Sequence, residues 1–202
     1  MSDDRSMAEI IDGLSDPDRL VRTSAVWNVM DWGESGRPAL PALKKLLDDQ
    51  REPYIRLGAA GAICRIAPDE AEGVLPVLLA DLHDNDFMQR DTACMFIGRI
   101  GPKAEAAVPT LRLLLDDEIE TVRCSAADAI GRISGDWSHA IEIGLTLIQS
   151  SDFLIRIVGA EHFEAMGTEA KAAMPRLRGL LRCVEWQARV DVEEVLDEIN
   201  RC

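Results

Sequence analysis

The chain has 202 residues, with 36 Asp and Glu against 22 Lys and Arg and a formal net charge of -14, the wrong sign for a protein that must displace counterions from nucleic-acid phosphates. No apolar run approaches the ~20 residues of a membrane-spanning helix, and the opening MSDDRSMAEI is acidic rather than a signal segment. Cys64, Cys94, Cys124, Cys183 and Cys202 form no C-x-x-C pair, so reduced thiols in a soluble, cytoplasmic protein are expected.

Six copies of one two-helix unit are predicted, at about residues 4–33, 36–67, 70–101, 104–134, 137–167 and 169–202, filling a single domain over 1–202. In the first copy Met7, Ile10, Ile11 and Leu14 give helix A one apolar stripe, and Asp16-Pro17-Asp18 turns the chain into helix B through Val21, Ala25, Val29 and Trp32. Copies two and three repeat the plan with Ile55, Ala59, Ile63 and Ile66, then Ala93, Ile97 and Ile100. The fourth holds the clearest stretch, LRLLLDDEIETVRCSAADAIGRIS from Leu111 to Ser134. The fifth departs most, its helix A reading SHAIEIGLTLIQS without a proline but with Ile141, Leu145 and Ile148 on one face. The sixth ends on a helix rich in Asp and Glu, as a capping helix with a polar outer face requires.

Three markers fix the register. An arginine recurs as Arg22, Arg56, Arg90, Arg123, Arg156 and Arg189, at intervals of 34, 34, 33, 33 and 33 residues. Eleven residues after each stands Gly33, Ala67, Gly101, Ser134, Gly167 or Asn200, where helix B is expected to end. Pro41, Pro76, Pro109 and Pro175 follow at nineteen or twenty residues, with Glu142 in the remaining place. Proline is tolerated in a helix's first turn, where its missing N–H has no partner, so each marks the start of a helix A.

The pattern P-x-L-x-x-L-L-D-D followed by V-R-x-x-A-A-x-A-I-G resembles the HEAT repeat, in particular the short bacterial kind found in bilin lyases, and the resemblance covers nearly the whole chain. It implies an all-α, right-handed α-solenoid of about six repeats whose B helices line the concave side. It also implies that Asp16, Asp84 and Asp117, each six residues before an arginine, join the arginines in a ladder of hydrogen bonds. Gln50, Ser150 and Cys183 would interrupt that ladder.

Function is then expected where the repeats differ. On the B helices the positions five and nine after the arginine point away from the core. Position five reads Trp27, Gly61, Met95, Asp128, Glu161 and Glu194; position nine reads Asp31, Arg65, Arg99, Arg132, Ala165 and Glu198. The expected partner-binding residues are Trp27, Arg65, Met95, Arg99, Asp128, Arg132 and Glu161. The arginine row would receive an acidic segment of a protein or peptide partner, since guanidinium pairs bidentately with carboxylates. The competing expectation is that each arginine pairs with an acid of its own surface, such as Asp128 one turn before Arg132. Trp27 would either anchor a partner or pack on the neighbouring helix, and Phe87, Phe153 and Trp186, each three residues before an arginine, are expected to pack in the turn.

No catalytic set, metal site or cofactor is expected. His83, His139 and His162 fall in different repeats, and the chain has no His-Glu dipeptide of the kind that holds iron in HEAT-like hydroxylases. The expectation is a non-catalytic interaction scaffold. Its alternative is a bilin-lyase-like or other ligand-modifying activity in the same groove, around Cys124, Asp128, Glu161 and His162.

Overall fold

The computed structural model describes residues 6–48, 52–180 and 186–201, and for 186–191 the backbone alone. Among these residues twelve α-helices alternate as A and B members of successive pairs. They are α1 (Met7–Gly13), α2 (Arg19–Asp31), α3 (Leu40–Leu46), α4 (Pro53–Ile66), α5 (Leu75–Asp81), α6 (Phe87–Ile100), α7 (Val108–Leu113), α8 (Glu120–Ser134), α9 (Ser138–Leu147), α10 (Phe153–Met166), α11 (Met174–Leu180) and α12 (Trp186–Arg201). No strand occurs among the described residues, and the architecture is an all-α solenoid. No described helix is long and apolar enough to cross a membrane.

The three markers act as the chemistry of helix ends requires. Pro41, Pro76, Pro109 and Pro175 each stand second in their helix, where a missing N–H costs nothing. A 3₁₀ segment leads into each of these four helices, whereas α9 starts without one. The Ser138 N–H there donates to Asp136 Oδ1 at 3.1 Å. Asp18, Asp86 and Asp152 are the N-caps of α2, α6 and α10, accepting the N–H two residues on at 2.8 to 2.9 Å. Gly101 and Gly167 end α6 and α10 with φ of 70° and 56°, values that favour glycine.

The recurring arginine is tied to its own turn through the backbone. Arg22, Arg90, Arg123 and Arg156 each donate through Nη1 to the carbonyls six and five residues earlier, at 2.7 to 3.3 Å. The side chain six residues before instead accepts a turn N–H: Asp16 from Asp18, Asp84 from Asp86, Asp117 from Ile119 and Ser150 from Asp152. Ser150 thus keeps the contact within the turn, while among the described residues no rung runs from Arg123 to it. A serine hydroxyl accepts that N–H as a carboxylate does, and the arginine's acceptors are carbonyls that every residue carries. Gln50, Cys183 and the Arg189 side chain lie outside the described residues.

A charged rung does join successive repeats early in the chain. Arg90 donates through Nε and Nη2 to the two oxygens of Asp117 at 2.8 and 2.9 Å, with both side chains nearly buried. Arg56 pairs with Asp81, and Arg22 stands 3.6 Å from Glu52. Arg123 pairs only within its own helix, with Glu120.

The core follows the same division. One cluster of buried aliphatic side chains runs from Ile10 to Ile133, and a second, centred on Phe163, Leu145 and Val195, fills the later repeats. Small residues set the helix spacing. A Cβ on Gly58 would lie 2.9 Å from Val26, one on Gly61 would lie inside the Phe96 ring, and one on Gly98 would sit 3.1 Å from the Ala129 backbone. Glycine and alanine at these contacts let α2, α4, α6 and α8 stack in series.

Candidate functional site

That stacking stops after α8. Where a fifth B helix would press on Gly131, the Trp137 indole does so instead, with ring atoms 2.5 Å from where a Cβ would stand. The helix that follows, α9, packs on both α8 and α10, while α8 and α10 do not pack along their lengths. Gly144 lies under Phe163 and His162, and Gly159 lies against the backbone of Leu147 and Ile148, so α9 and α10 are held tightly together. The inserted tryptophan spaces the B helices apart, and a groove opens.

The groove, about 550 Å³ in volume, is bounded by α6, α8 and α10. Met95 and Arg99 come from α6, Cys124, Asp128 and Arg132 from α8, and Glu161 and His162 from α10. Because four residues advance a helix by ~6 Å, the positions-five and -nine side chains form two parallel stripes. One carries Met95, Asp128 and Glu161; the other carries Arg99, Arg132 and Ala165. The groove thus has an acidic stripe beside a basic one, with Met95 and Val158 supplying apolar contact.

Both guanidiniums are exposed and neither has a carboxylate within ion-pair distance among the described residues. Arg99 lies over the Phe96 ring at 5.8 Å and Arg132 over the Trp137 ring at 5.9 Å. Arg132 Nη2 also reaches the Ala165 carbonyl at 3.4 Å. Stacking on an aromatic face orients a guanidinium without consuming its charge. The expected pairing of Arg132 with Asp128 is therefore absent, and the groove offers two oriented cations.

Asp128 faces His162 instead. The His162 ring is buried and its Nε2–H donates to the Ala140 carbonyl at 2.8 Å. Its Nδ1 then stands 3.7 Å from Asp128 Oδ1, beyond hydrogen-bond distance, and Asp128 Oδ1 has no hydrogen-bond partner among the described residues. Burial raises the Asp128 carboxyl above the usual range, with His162 and Arg132 acting the other way. At the groove's rim the Ser125 hydroxyl donates to Asp91 Oδ1 at 2.6 Å, tying α8 to α6.

Of the seven residues expected to bind a partner, five line this groove: Met95, Arg99, Asp128, Arg132 and Glu161. Trp27 and Arg65 are exposed on earlier B helices and lie outside it. Trp27 is 50% exposed, which fits an anchor better than a residue packed on its neighbour. Gly61, also in the outward register, is buried under Phe96. Phe87 and Phe153 are 42% and 57% exposed, and the Arg156 guanidinium lies over the Phe153 ring at 5.6 Å, a contact within its turn. The Trp186 side chain lies outside the described residues. Sequence reasoning missed Trp137 and Phe96 as supports of the arginines; the signal for Trp137 was its place beside the repeat that lacks a proline.

Cys124, Asp128, Glu161 and His162, the residues of the ligand-modifying alternative, also line the groove. Burial, with the neighbouring Asp128 charge, pushes the Cys124 thiol up to about 12. A nucleophilic cysteine requires the opposite shift. No group of three or more His, Cys, Asp or Glu able to hold a metal occurs among the described residues.

Comparison with known proteins accords with this architecture. The HEAT-repeat family profile matches residues 75–143, and no curated protein matches the sequence. Among solved structures, the complex of CpcE and CpcF of phycocyanin lyase from Nostoc sp. PCC7120 is similar at 17% identity, covering 98% of this chain and 96% of that one, with a TM-score of 0.56. An engineered protein is similar at 19% identity over 98% of this chain and 100% of that one, TM-score 0.58. A computationally designed armadillo repeat protein for modular peptide recognition matches at 22% identity over 96% and 100%, TM-score 0.54. At these identities the likeness is one of fold.

Proposed function

We propose that this HEAT-repeat solenoid, one domain of six repeats over 1–202, is a non-catalytic scaffold that receives a segment of a partner protein on its concave B-helix face. The supporting observation is the pair of exposed guanidiniums, Arg99 and Arg132, oriented on Phe96 and Trp137 without a carboxylate partner among the described residues. They suit an acidic side chain of the segment, bound bidentately. Asp128 and Glu161, one turn away, suit a cationic or hydrogen-bond-donating group of the same segment, and Met95 an apolar one. Trp27 and Arg65 extend the face toward the first repeats. The acidic charge of the chain favours a partner with basic character outside the contacted acid. The designed peptide-recognising neighbour lends the reading support at the level of fold.

The test is affinity capture with quantitative mass spectrometry, using the wild type, an Arg99→Glu/Arg132→Glu variant and an Arg65→Glu variant, each shown by circular dichroism to be folded. A partner retained by the wild type and by Arg65→Glu but lost by the double variant is the expected result. Equal recovery by all three proteins overturns the role of the arginine pair. The ligand-modifying alternative, bilin-lyase-like chemistry at Cys124, Asp128, Glu161 and His162, predicts a chromophore that copurifies and absorbs visible light.

A further inference from the structure

Six of the nine large apolar side chains that stand exposed among the described residues occupy two adjacent register positions. Leu20, Tyr54, Met88 and Leu154 precede their repeat's arginine by two residues, and Phe87 and Phe153 by three. All lie in the first turn of a B helix, so the solenoid carries a broken apolar ridge along the edge where its B helices begin. Leu20 and Leu154 are 74% and 68% exposed, far more than packing within the turn would leave. We propose that this edge is a second docking surface, separate from the groove, and that it takes a basic amphipathic helix of a partner protein.

Charge selects the occupant. The turns that carry the ridge hold Asp16 and Asp18 in the first repeat and Asp84 and Asp86 in the third, and the neighbouring turn of the fourth holds Glu118 and Glu120. Arg19, an exposed base of the first of these turns, is already paired with Glu52 at 3.3 Å. A second copy of a chain whose net charge is -14 would set these carboxylates against their own kind. A basic segment meets them with complementary sign.

Spacing selects the conformation. Adjacent helices in such a stack stand ~8–10 Å apart, so equivalent ridge residues recur at about that interval. In an α-helix seven residues advance ~10.5 Å and return to nearly the same face. An extended strand reaches ~10 Å in three residues, and its third side chain points to the opposite face. A helix with apolar residues every seven positions and lysines between them therefore registers on Leu20, Tyr54 and Phe87–Met88, whereas a strand does not. The fourth repeat offers Glu120 and Thr121 in place of the apolar pair, which limits the continuous seat to the first three repeats and leaves Phe153–Leu154 as a separate patch. The Tyr54 hydroxyl donates to Asp86 across the repeat boundary, so its ring is held in place before binding.

The experiment uses the full chain and two labelled synthetic peptides of about 20 residues, a length that spans three repeats. One has leucines at heptad spacing among lysines, and the other carries glutamates in place of the lysines. Fluorescence anisotropy should show the lysine peptide binding at least ~10-fold tighter than the glutamate peptide. Leu20→Ser/Met88→Ser should lower that affinity by ~10-fold or more with an unchanged melting temperature, and Arg99→Glu/Arg132→Glu should leave it intact, which separates the ridge from the groove. The single variant Met88→Lys, at an exposed site, replaces the double variant if the latter melts early. Undiminished binding by the ridge variants would overturn the proposal, as would sedimentation showing a dimer that those variants abolish, which would assign the ridge to a second copy.

Discussion

Gly159 on α10 is where this architecture can be tested most sharply. A Cβ there would stand 2.8 Å from the Ile148 amide nitrogen, 2.9 Å from Leu147 Cβ and 3.1 Å from the Leu147 carbonyl carbon. Two of those three atoms are backbone, so no rotamer change relieves the contact, and α9 and α10 must part by several tenths of an ångström. Alanine at a helix-interior position is worth about 1 kcal/mol over glycine, whereas overpacking a closed contact costs about 1–3 kcal/mol and more where backbone opposes backbone. The net expectation for Gly159→Ala is a loss of about 1–2 kcal/mol, or roughly 2–8 °C in melting temperature for a chain of this size. Gly179 on α11 is the control: its Cβ would meet nothing within 4 Å among the described residues, so Gly179→Ala should stabilise by up to about 1 kcal/mol. Urea unfolding of both variants, with slopes compared to the wild type, decides the matter. If Gly159→Ala is as stable as Gly179→Ala, the close approach of α9 to α10 is wrong, and with it the placing of His162 and Glu161 in the groove wall.

Asp117→Ala strips the Arg90 guanidinium of a bidentate partner in a nearly buried setting and removes the acceptor of the Ile119 N–H, so chemical denaturation should show a loss of about 3–5 kcal/mol. A double-mutant cycle with Arg90→Ala should return much of that as coupling. The raised Asp128 carboxyl holds its proton more tightly in the folded than in the unfolded chain, so its ionisation destabilises the fold at neutral pH, and the wild type recovers stability as pH falls through the folded pKa. Asp128→Asn should therefore be the more stable protein near pH 7 and lose that advantage in acid. Urea titrations at several pH values would show it, and a variant no more stable near neutrality would refute the assignment. Cys64 and Cys124, whose thiols burial pushes up to about 12, should alkylate in the native protein roughly a thousandfold more slowly than an ordinary cysteine near 8.5. Peptide mass spectrometry after iodoacetamide treatment, with and without urea, checks this; labelling of Cys124 at the unfolded-chain rate would reopen a nucleophilic role.

The repeat plan was legible because its marks are chemical necessities of helix ends. Proline at the second helical position, a small residue at the B-helix terminus and a recurring arginine all follow from which backbone groups lack partners, and each is written in a single residue. The outward register of Met95, Asp128 and Arg132 was legible for the same reason, since helical periodicity alone decides it. What could not be read was how far apart successive B helices stand. That distance depends on which side chain from a distant loop fills the space over a glycine. Gly98 and Gly131 hold the same place in consecutive repeats, yet Ala129 of the next B helix covers the first and the Trp137 indole covers the second. The exposure of Phe87 and Phe153 makes a related point: recurrence at a fixed position shows that a site is repeated, not that it is enclosed.

The departure from regularity is also what makes a site. In a solenoid whose B helices all stack at one spacing, the concave face is a continuous surface with no depth, because each helix closes the gap beside its neighbour. Here the fifth pair is displaced by Trp137, and the displacement opens the groove between α8 and α10 while supplying the ring on which Arg132 lies. His162 reaches the Ala140 carbonyl of α9, the helix that the wedge inserts. The repeat that lacks a proline, the tryptophan before it and the acid facing a buried histidine thus lie together where the B helices cease to stack. The first four B helices stack in series, and the exposed apolar residues of the first three, Leu20, Tyr54 and Met88, stand on the outer edge among carboxylates. Two kinds of surface therefore follow from one fold: a groove where the helices part, and a ridge where they do not.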